Sequence, residues 1–252
     1  MQEILKKLDA EVVRSVSPRD EMFNYVRTRM PDVGSTESYY FSTGRELAIH
    51  LATYLSEQGL DCRNLTLLDF AAGYGRVTRW LSQLFGSVTM SDLEQDMVDF
   101  QKREFGVEGF VSGANPAQVA EHARKYDVVF VFSLFTHLPE NTWNDWLRSL
   151  AGLVRPGGHL VFSTHSYELF ALLNPARFGD PTTWTDDFLF WHTNETQGRL
   201  DTAQYGCNIV KENFVIRAVD TLPGYRVQRR FKMGEFDRYH DINIVANMNT
   251  EL

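Results

Sequence analysis

Apolar residues recur along this chain at two spacings, and the alternation between them outlines an architecture. Leu65, Leu67, Leu68 and Phe70, then Val88 to Met90, then Tyr126 to Phe132, then His159 to Thr164, form short apolar runs of the kind buried on both faces of a parallel sheet. Between these runs Val77, Trp80, Leu81 and Leu84 recur at helical spacing, as do Trp143, Trp146, Leu147, Leu150, Leu153 and Val154. The second of these helices is expected to end at Arg155-Pro156-Gly157-Gly158. Strands alternating with helices predict an α/β fold built on a mostly parallel sheet. Toward the far end, Phe214, Val215, Ala218, Val219 and Leu222 predict a helix. Tyr225, Val227, Phe231 and Met233 then alternate through a strand, and residues 241–247 supply the last one. Period-two patterning of this kind suits an antiparallel closing pair.

Two regions lie outside that alternation. Residues 1–59 predict a helical N-terminal cap, with Ile4, Leu5, Leu8, Val12 and Val13 on one helix and Met22, Phe23, Val26 and Met30 on another. A third helix is expected to start at the capping box Thr43-Gly44-Arg45-Glu46, bury Leu47, Leu51, Tyr54 and Leu55, and close at Gly59. The remainder, 60–252, forms the main domain. After a helix through Tyr167 and Leu173, it carries an insertion near 174–210, and a connection that long is usually functional or mobile.

The chemistry concentrates where the first apolar run ends. Asp69 stands at its carboxyl end, and Ala71, Ala72, Gly73 and Gly75 follow as a turn with little side-chain bulk, which lets a ligand approach the main chain. A helix opens directly after the turn, as in nucleotide-binding units. Glycine turns between strand and helix also serve packing alone. The second run ends in Asp92, about 20 residues after Asp69, the separation at which a carboxylate receives a ribose diol in doubly wound folds. A nicotinamide-binding turn needs a third glycine, and Thr78 occupies that place.

These residues together resemble the class I S-adenosylmethionine-dependent methyltransferases, over roughly residues 40 to 248. Asp69 to Gly75 is similar to that family's first motif, Asp92 to its ribose-binding acid, and Arg155 to Leu160 to the proline-glycine turn before its fifth strand. Ala71 departs from the pattern, standing where the family usually has its first glycine; the turn is expected to survive if the backbone angles there are ordinary. The resemblance implies a doubly wound, mostly parallel seven-stranded sheet with an antiparallel last strand beneath an N-terminal helical lid. It implies S-adenosyl-L-methionine as cofactor, S-adenosyl-L-homocysteine as product, and an enzyme of the EC 2.1.1 class. It places Asp69, Ala71, Gly73, Gly75, Asp92 and Leu93 at the cofactor, with Asn115 toward the adenine edge and Ser133 along the pocket. Tyr40, in a Tyr-x-x-x-Gly-Arg pattern similar to that of sugar-pathway methyltransferases, is expected to cover the cofactor, and Arg45 to pair with its carboxylate. Internal packing for the aromatics and a solvated Arg45 are the alternatives.

Composition narrows the partners. With 252 residues, 43% of them hydrophobic, the chain can bury a full core, and its net charge of −8 with scattered arginines argues against nucleic acid as acceptor. No apolar stretch approaches membrane-spanning length and no leader pattern opens the chain, so a cytoplasmic monomer or homodimer acting on a small molecule is expected. Cys62 and Cys207 lack metal-ligand spacing and are expected as free thiols, with no metal site.

Methyl transfer to a hydroxyl is helped by a base, and histidine titrates nearest working pH. His137 and His165 both follow sheet strands at their carboxyl ends, where open α/β sheets bind ligands, and both are candidates; each could instead orient the acceptor or brace a loop. Trp184, Trp191, His192 and Glu195 combine aromatic faces with hydrogen-bonding groups, as an amphipathic acceptor such as a saccharide or natural product requires, or they pack a small excursion over the sheet. A non-catalytic S-adenosylmethionine-binding regulatory protein, or methylation at nitrogen or carbon, are the competing functions.

Overall fold

The computed structural model of the chain describes residues 8–30, 32–122, 124–168, 184–192 and 205–250. The strands β1 (Thr66–Phe70), β2 (Ser87–Asp92), β3 (Glu108–Val111), β4 (Tyr126–Val131), β5 (Val154–His165), β6 (Phe188–Trp191), β7 (Cys207–Val210), β8 (Tyr225–Phe231) and β9 (His240–Asn247) form two sheets. Seven of them order as β3-β2-β1-β4-β5-β9-β8, and β6 pairs with β7. The pairs β1–β2, β2–β3 and β4–β5 are parallel, while β9 runs antiparallel to both β5 and β8. The expected sheet, mostly parallel with an antiparallel last strand, is therefore observed. Its continuous apolar strands explain why: Leu67, Leu68, Val128, Val129 and Val161 are all fully buried, and each such side chain contributes roughly 1.5–3 kcal/mol of transfer free energy.

The chain divides into two compact units, residues 1–112 and 113–252, and the N-terminal helices share a unit with β1–β3. In the first unit, α1 (Glu21–Arg29) is capped by Asp20, whose carboxylate accepts from the Phe23 amide. The next helix, α2, runs unbroken from Val33 to Glu57, starting 10 residues earlier than the capping box at Thr43 indicated. Asp32 caps it instead, accepting from the Ser35 amide at 2.8 Å. The Thr43 hydroxyl donates back to the Tyr39 carbonyl at 2.9 Å, a bond that mid-helix threonines make and that leaves the box unused. Two further helices follow, α3 (Thr78–Leu84) and α4 (Gln95–Phe105). Residues 8–11 are helical, while the expected positions Ile4 and Leu5 lie outside the described residues.

In the second unit are α5 (Pro116–Ala120), α6 (Glu140–Ala151) and α7 (Glu212–Asp220). The Arg155-Pro156-Gly157-Gly158 turn, expected to end a helix, lies inside β5. There Tyr126 pairs with Val154 and Val128 with His159, so one residue of β4, Asp127, faces four of β5, Arg155 to Gly158. Gly157 takes φ 75°, and a Cβ on Gly158 would lie 2.6 Å from the Asp127 carbonyl, so both glycines answer to the bulge. The insertion folds in part as the β6–β7 ladder, in which Trp191 faces Cys207 in register.

Candidate functional site

The turn after β1 is held by main-chain and carboxylate contacts within the first unit. Gly73 donates its amide to Asp92 Oδ2 at 2.7 Å, and its carbonyl accepts from Gln101 Nε2 at 2.8 Å. Leu93 donates its amide to the other Asp92 oxygen at 2.7 Å. Ala72 is tied to the Ser91 carbonyl and Gly75 to the Ala72 carbonyl, so consecutive residues of the turn are pinned. Gly73 and Gly75 take φ 57° and 77°; a Cβ on Gly75 would meet Phe105 at 2.3 Å, whereas nothing lies within 4 Å of one on Gly73. The tip of the turn therefore offers bare backbone and open space beside a fixed carboxylate. A ribose diol and an amino acid end both suit such a surface, so the residues present fit an adenosyl cofactor.

Ala71 does not have ordinary backbone angles. Its φ is 59°, a left-handed conformation in which an L side chain meets its own carbonyl at a cost of about 1–2 kcal/mol. Strain of this kind gathers at functional turns. Ala71→Gly is expected to raise stability by up to about 1 kcal/mol, the relief being partly offset by glycine's greater freedom when unfolded. Thermal unfolding measures this, and a lower midpoint would show that the methyl group packs favourably instead.

Asp69 is 2% exposed and accepts a hydrogen bond from the Thr78 hydroxyl at 2.6 Å. Burial pushes its carboxyl up to about 7, against the opposing pull of the Thr78 bond. A carboxyl that stays protonated in the fold while the unfolded chain ionises at its ordinary pKa makes the folded state the greater proton binder, so stability falls as pH rises from about 4 to about 7. Asp69→Asn is expected to abolish that portion of the slope in chemical denaturation at pH 4 to 8; an unchanged slope would place its origin elsewhere. Burial raises Asp92 as well, with the Gly73 and Leu93 amides opposing.

Two expected cofactor contacts are internal contacts here. Tyr40 is fully buried, its hydroxyl on Asp20 at 2.5 Å and its ring edge-on to Phe23 and Phe41. Burial first, and then the Asp20 charge, raise its pKa strongly. Arg45 forks onto Asp9, with Nε and Nη2 at 2.5 and 3.0 Å from its two oxygens, because the unbroken α2 carries that side chain toward the N-terminal arm. Several contributors went unread in the sequence. Gln101 braces Gly73. Arg76 donates from Nη1 to the Thr43 hydroxyl at 2.9 Å, Tyr74 donates to Asp96 at 2.6 Å, and Arg19 reaches the same Asp96 oxygen at 2.9 Å. Arg79 is 1% exposed and gathers carbonyls: Gly75 at 2.9 Å, Val13 at 2.9 Å and Ser15 at 3.0 Å.

The second unit holds the histidines. His137 closes the 3-10 turn Leu134–Thr136 and places Nδ1 2.8 Å from the Gly206 carbonyl, its ring stacked on Tyr205 at 4.6 Å. His165, the last residue of β5, places Nδ1 2.9 Å from the Asn208 carbonyl and 3.6 Å from Cys207 Sγ. A carbonyl can only accept, so both rings carry hydrogen on Nδ1. Burial pushes His137 down to about 4 and His165 well below its ordinary value, with the charge of His240 adding to both shifts. Ser133 takes φ 73° and donates its amide to Ser163 Oγ at 2.7 Å, so a second strained residue follows a sheet strand. Asn115 caps α5, accepting from the Ala117 amide at 2.9 Å, which occupies its side-chain oxygen. Trp184 sets its ring against Tyr167 at 4.6 Å, Trp191 is half-buried in β6, and His192 is exposed beside Phe190. Glu195 lies outside the described residues. Among the described residues, no three His, Cys, Asp or Glu side chains are placed to hold a metal, and no helix is long and apolar enough to cross a membrane.

Residues 68–160 match the model of a family described as a methyltransferase domain. Among curated proteins the chain is 27% identical over 115 residues to a ubiquinone biosynthesis O-methyltransferase of Proteus mirabilis, a match covering 44% of this chain and 46% of that one. It thus spans about half the length of the curated relatives it matches. Among solved structures, an S-adenosylmethionine-dependent methyltransferase from Clostridium acetobutylicum superimposes with a TM-score of 0.60 over 89% of this chain and 96% of that one, at 14% identity. Magnesium protoporphyrin IX methyltransferase from Synechocystis, with S-adenosylhomocysteine bound, gives 0.55 over 98% and 94%, also at 14% identity. The fold is that of the class I S-adenosylmethionine-dependent methyltransferases.

Proposed function

We propose that this protein is an S-adenosylmethionine-dependent methyltransferase acting on a hydroxyl of a small molecule, a saccharide or natural product. The observation that carries the reading is the Asp92 carboxylate fixed by the Gly73 and Leu93 amides beside the open tip of the turn. The matched methyltransferase domain agrees, and the relative named as an O-methyltransferase favours oxygen as the methylated atom. Asp92 and the backbone of Ala71 to Gly75 hold the cofactor, with Asp69 bracing the turn from beneath through Thr78. When bound, S-adenosylmethionine supplies a methyl carbon already made electrophilic by its sulfonium, so the protein's work is alignment and exclusion of water. His137 and His165, each with hydrogen fixed on Nδ1, orient the acceptor, and the aromatic side chains of Trp184 and Trp191 contribute apolar faces to it. Calorimetric titration with S-adenosylmethionine and S-adenosylhomocysteine tests the first half: one saturable site is expected for each, and no heat at millimolar ligand would overturn the reading. Labelled methyl transfer to a panel of hydroxylated acceptors tests the second half; tight binding without product from any of them would favour a regulatory protein.

A further inference from the structure

His240 differs from the other two histidines in what holds it. It opens β9, pairs in register with His165, and so sits at the carboxyl end of β5, on the side of an open α/β sheet where ligands bind. Its Nδ1 lies 2.7 Å from Asp237 Oδ2, and that same oxygen accepts the amides of Tyr239 at 2.9 Å and His240 at 3.0 Å. A carboxylate bound by three donors is an acceptor, so the hydrogen belongs to Nδ1 and the lone pair to Nε2. His137 and His165 meet neutral carbonyls at the same atom. A proton added to His240 faces Asp237 directly, the arrangement that orients and supports a basic imidazole. The His240 ring stacks on His165 at 5.2 Å with 19° between planes and meets Phe132 edge-on at 4.8 Å.

We propose that His240, oriented by Asp237, is the general base of the methyl transfer. The inference rests on a hydroxyl acceptor, as proposed above. As the acceptor oxygen forms its bond to the methyl carbon, the carbon–sulfur bond breaks and its electron pair stays on sulfur; the acceptor O–H proton passes to His240 Nε2 and leaves to solvent. The charged and titratable groups around it are His165 from β5, His137 after β4, Cys207 against His165, Asp237 on its own loop, and the Arg230–Asp241 ion pair at the next residue.

The test uses the whole chain with S-adenosylhomocysteine bound. Imidazole NMR across pH is expected to show His240 protonating at the highest pH of the three, as the Nδ1–H tautomer, with Asp237→Asn lowering its midpoint by about one pH unit or more. With 3,4-dihydroxybenzoate and methyl β-glucoside as probe acceptors, His240→Gln is expected to lower kcat roughly 100-fold and to let the rate climb with pH as the acceptor itself ionises, at unchanged S-adenosylhomocysteine affinity. Asp237→Asn serves if His240→Gln fails to fold. A His240 midpoint at or below that of His165, or one indifferent to Asp237→Asn, overturns the proposal whether or not a probe is methylated. Absence of S-adenosylhomocysteine binding instead overturns the methyltransferase reading and leaves the titration result to stand by itself.

Discussion

Asp92→Ala is expected to weaken S-adenosylmethionine binding by about 1–3 kcal/mol, or roughly 5- to 150-fold, the largest loss of affinity for any single truncation in the turn. Two effects combine. The ribose diol loses a charged acceptor, and the amides of Gly73 and Leu93 lose the oxygens 2.7 Å away that now fix them. The second effect also acts without ligand, so the variant should unfold more easily, and the two contributions separate when calorimetric affinity is set beside the thermal midpoint of the free protein. Asp92→Asn keeps one acceptor oxygen and is expected to fall between the two. Wild-type affinity in Asp92→Ala would remove this carboxylate from the site and with it the observation on which the proposed function leans.

Gly44→Ala is expected to cost the most stability. A Cβ at that position would stand 2.2 Å from the Arg76 carbonyl oxygen and 3.0 Å from its carbonyl carbon, main-chain atoms that cannot rotate away. Either α2 must withdraw or the turn that ends in Arg76 must move, and overpacking of this kind costs about 1–3 kcal/mol or more. Arg76 also reaches Thr43, next to Gly44, so the displacement disturbs a hydrogen bond as well. Urea unfolding measures the loss, and a change below about 0.5 kcal/mol would mean that α2 slides freely over the turn.

The contrast between these two positions shows what the sequence discloses. Asp92 is legible because a strand-ending acid at a set distance from a glycine turn is a local pattern, as are the buried strands and the helix through Trp143 and Leu150. Gly44 reads as part of a capping box because the sequence does not say that Asp32, twelve residues upstream, has already started the helix. Within the one unbroken helix, Tyr40 and Arg45 meet Asp20 and Asp9, partners that the local sequence does not disclose. The Arg155 to Gly158 turn has the composition of a helix end but serves a bulge that only the register of β4 against β5 defines. Ala71 illustrates a subtler limit, because alanine carries no signal of a left-handed backbone; the contacts of Ala72, Gly73 and Gly75 impose it. His240 escaped notice because its neighbour in space, His165, is 75 residues away in sequence, and a three-residue step to Asp237 in a loop resembles any surface pair.

The buried Arg79 has a bearing on how this chain can change over generations. It fastens the N-terminal arm to the turn through the carbonyls of Val13, Ser15 and Gly75, and a carbonyl is the same whatever side chain its residue bears. The letter at position 13 is thereby freed to drift while the path of the arm is not, whereas Leu8 and Val12 stay tied by burial and Asp9 by its Arg45 partner. The guanidinium itself has no such latitude, since lysine's single ammonium could not reach carbonyls spread across both segments.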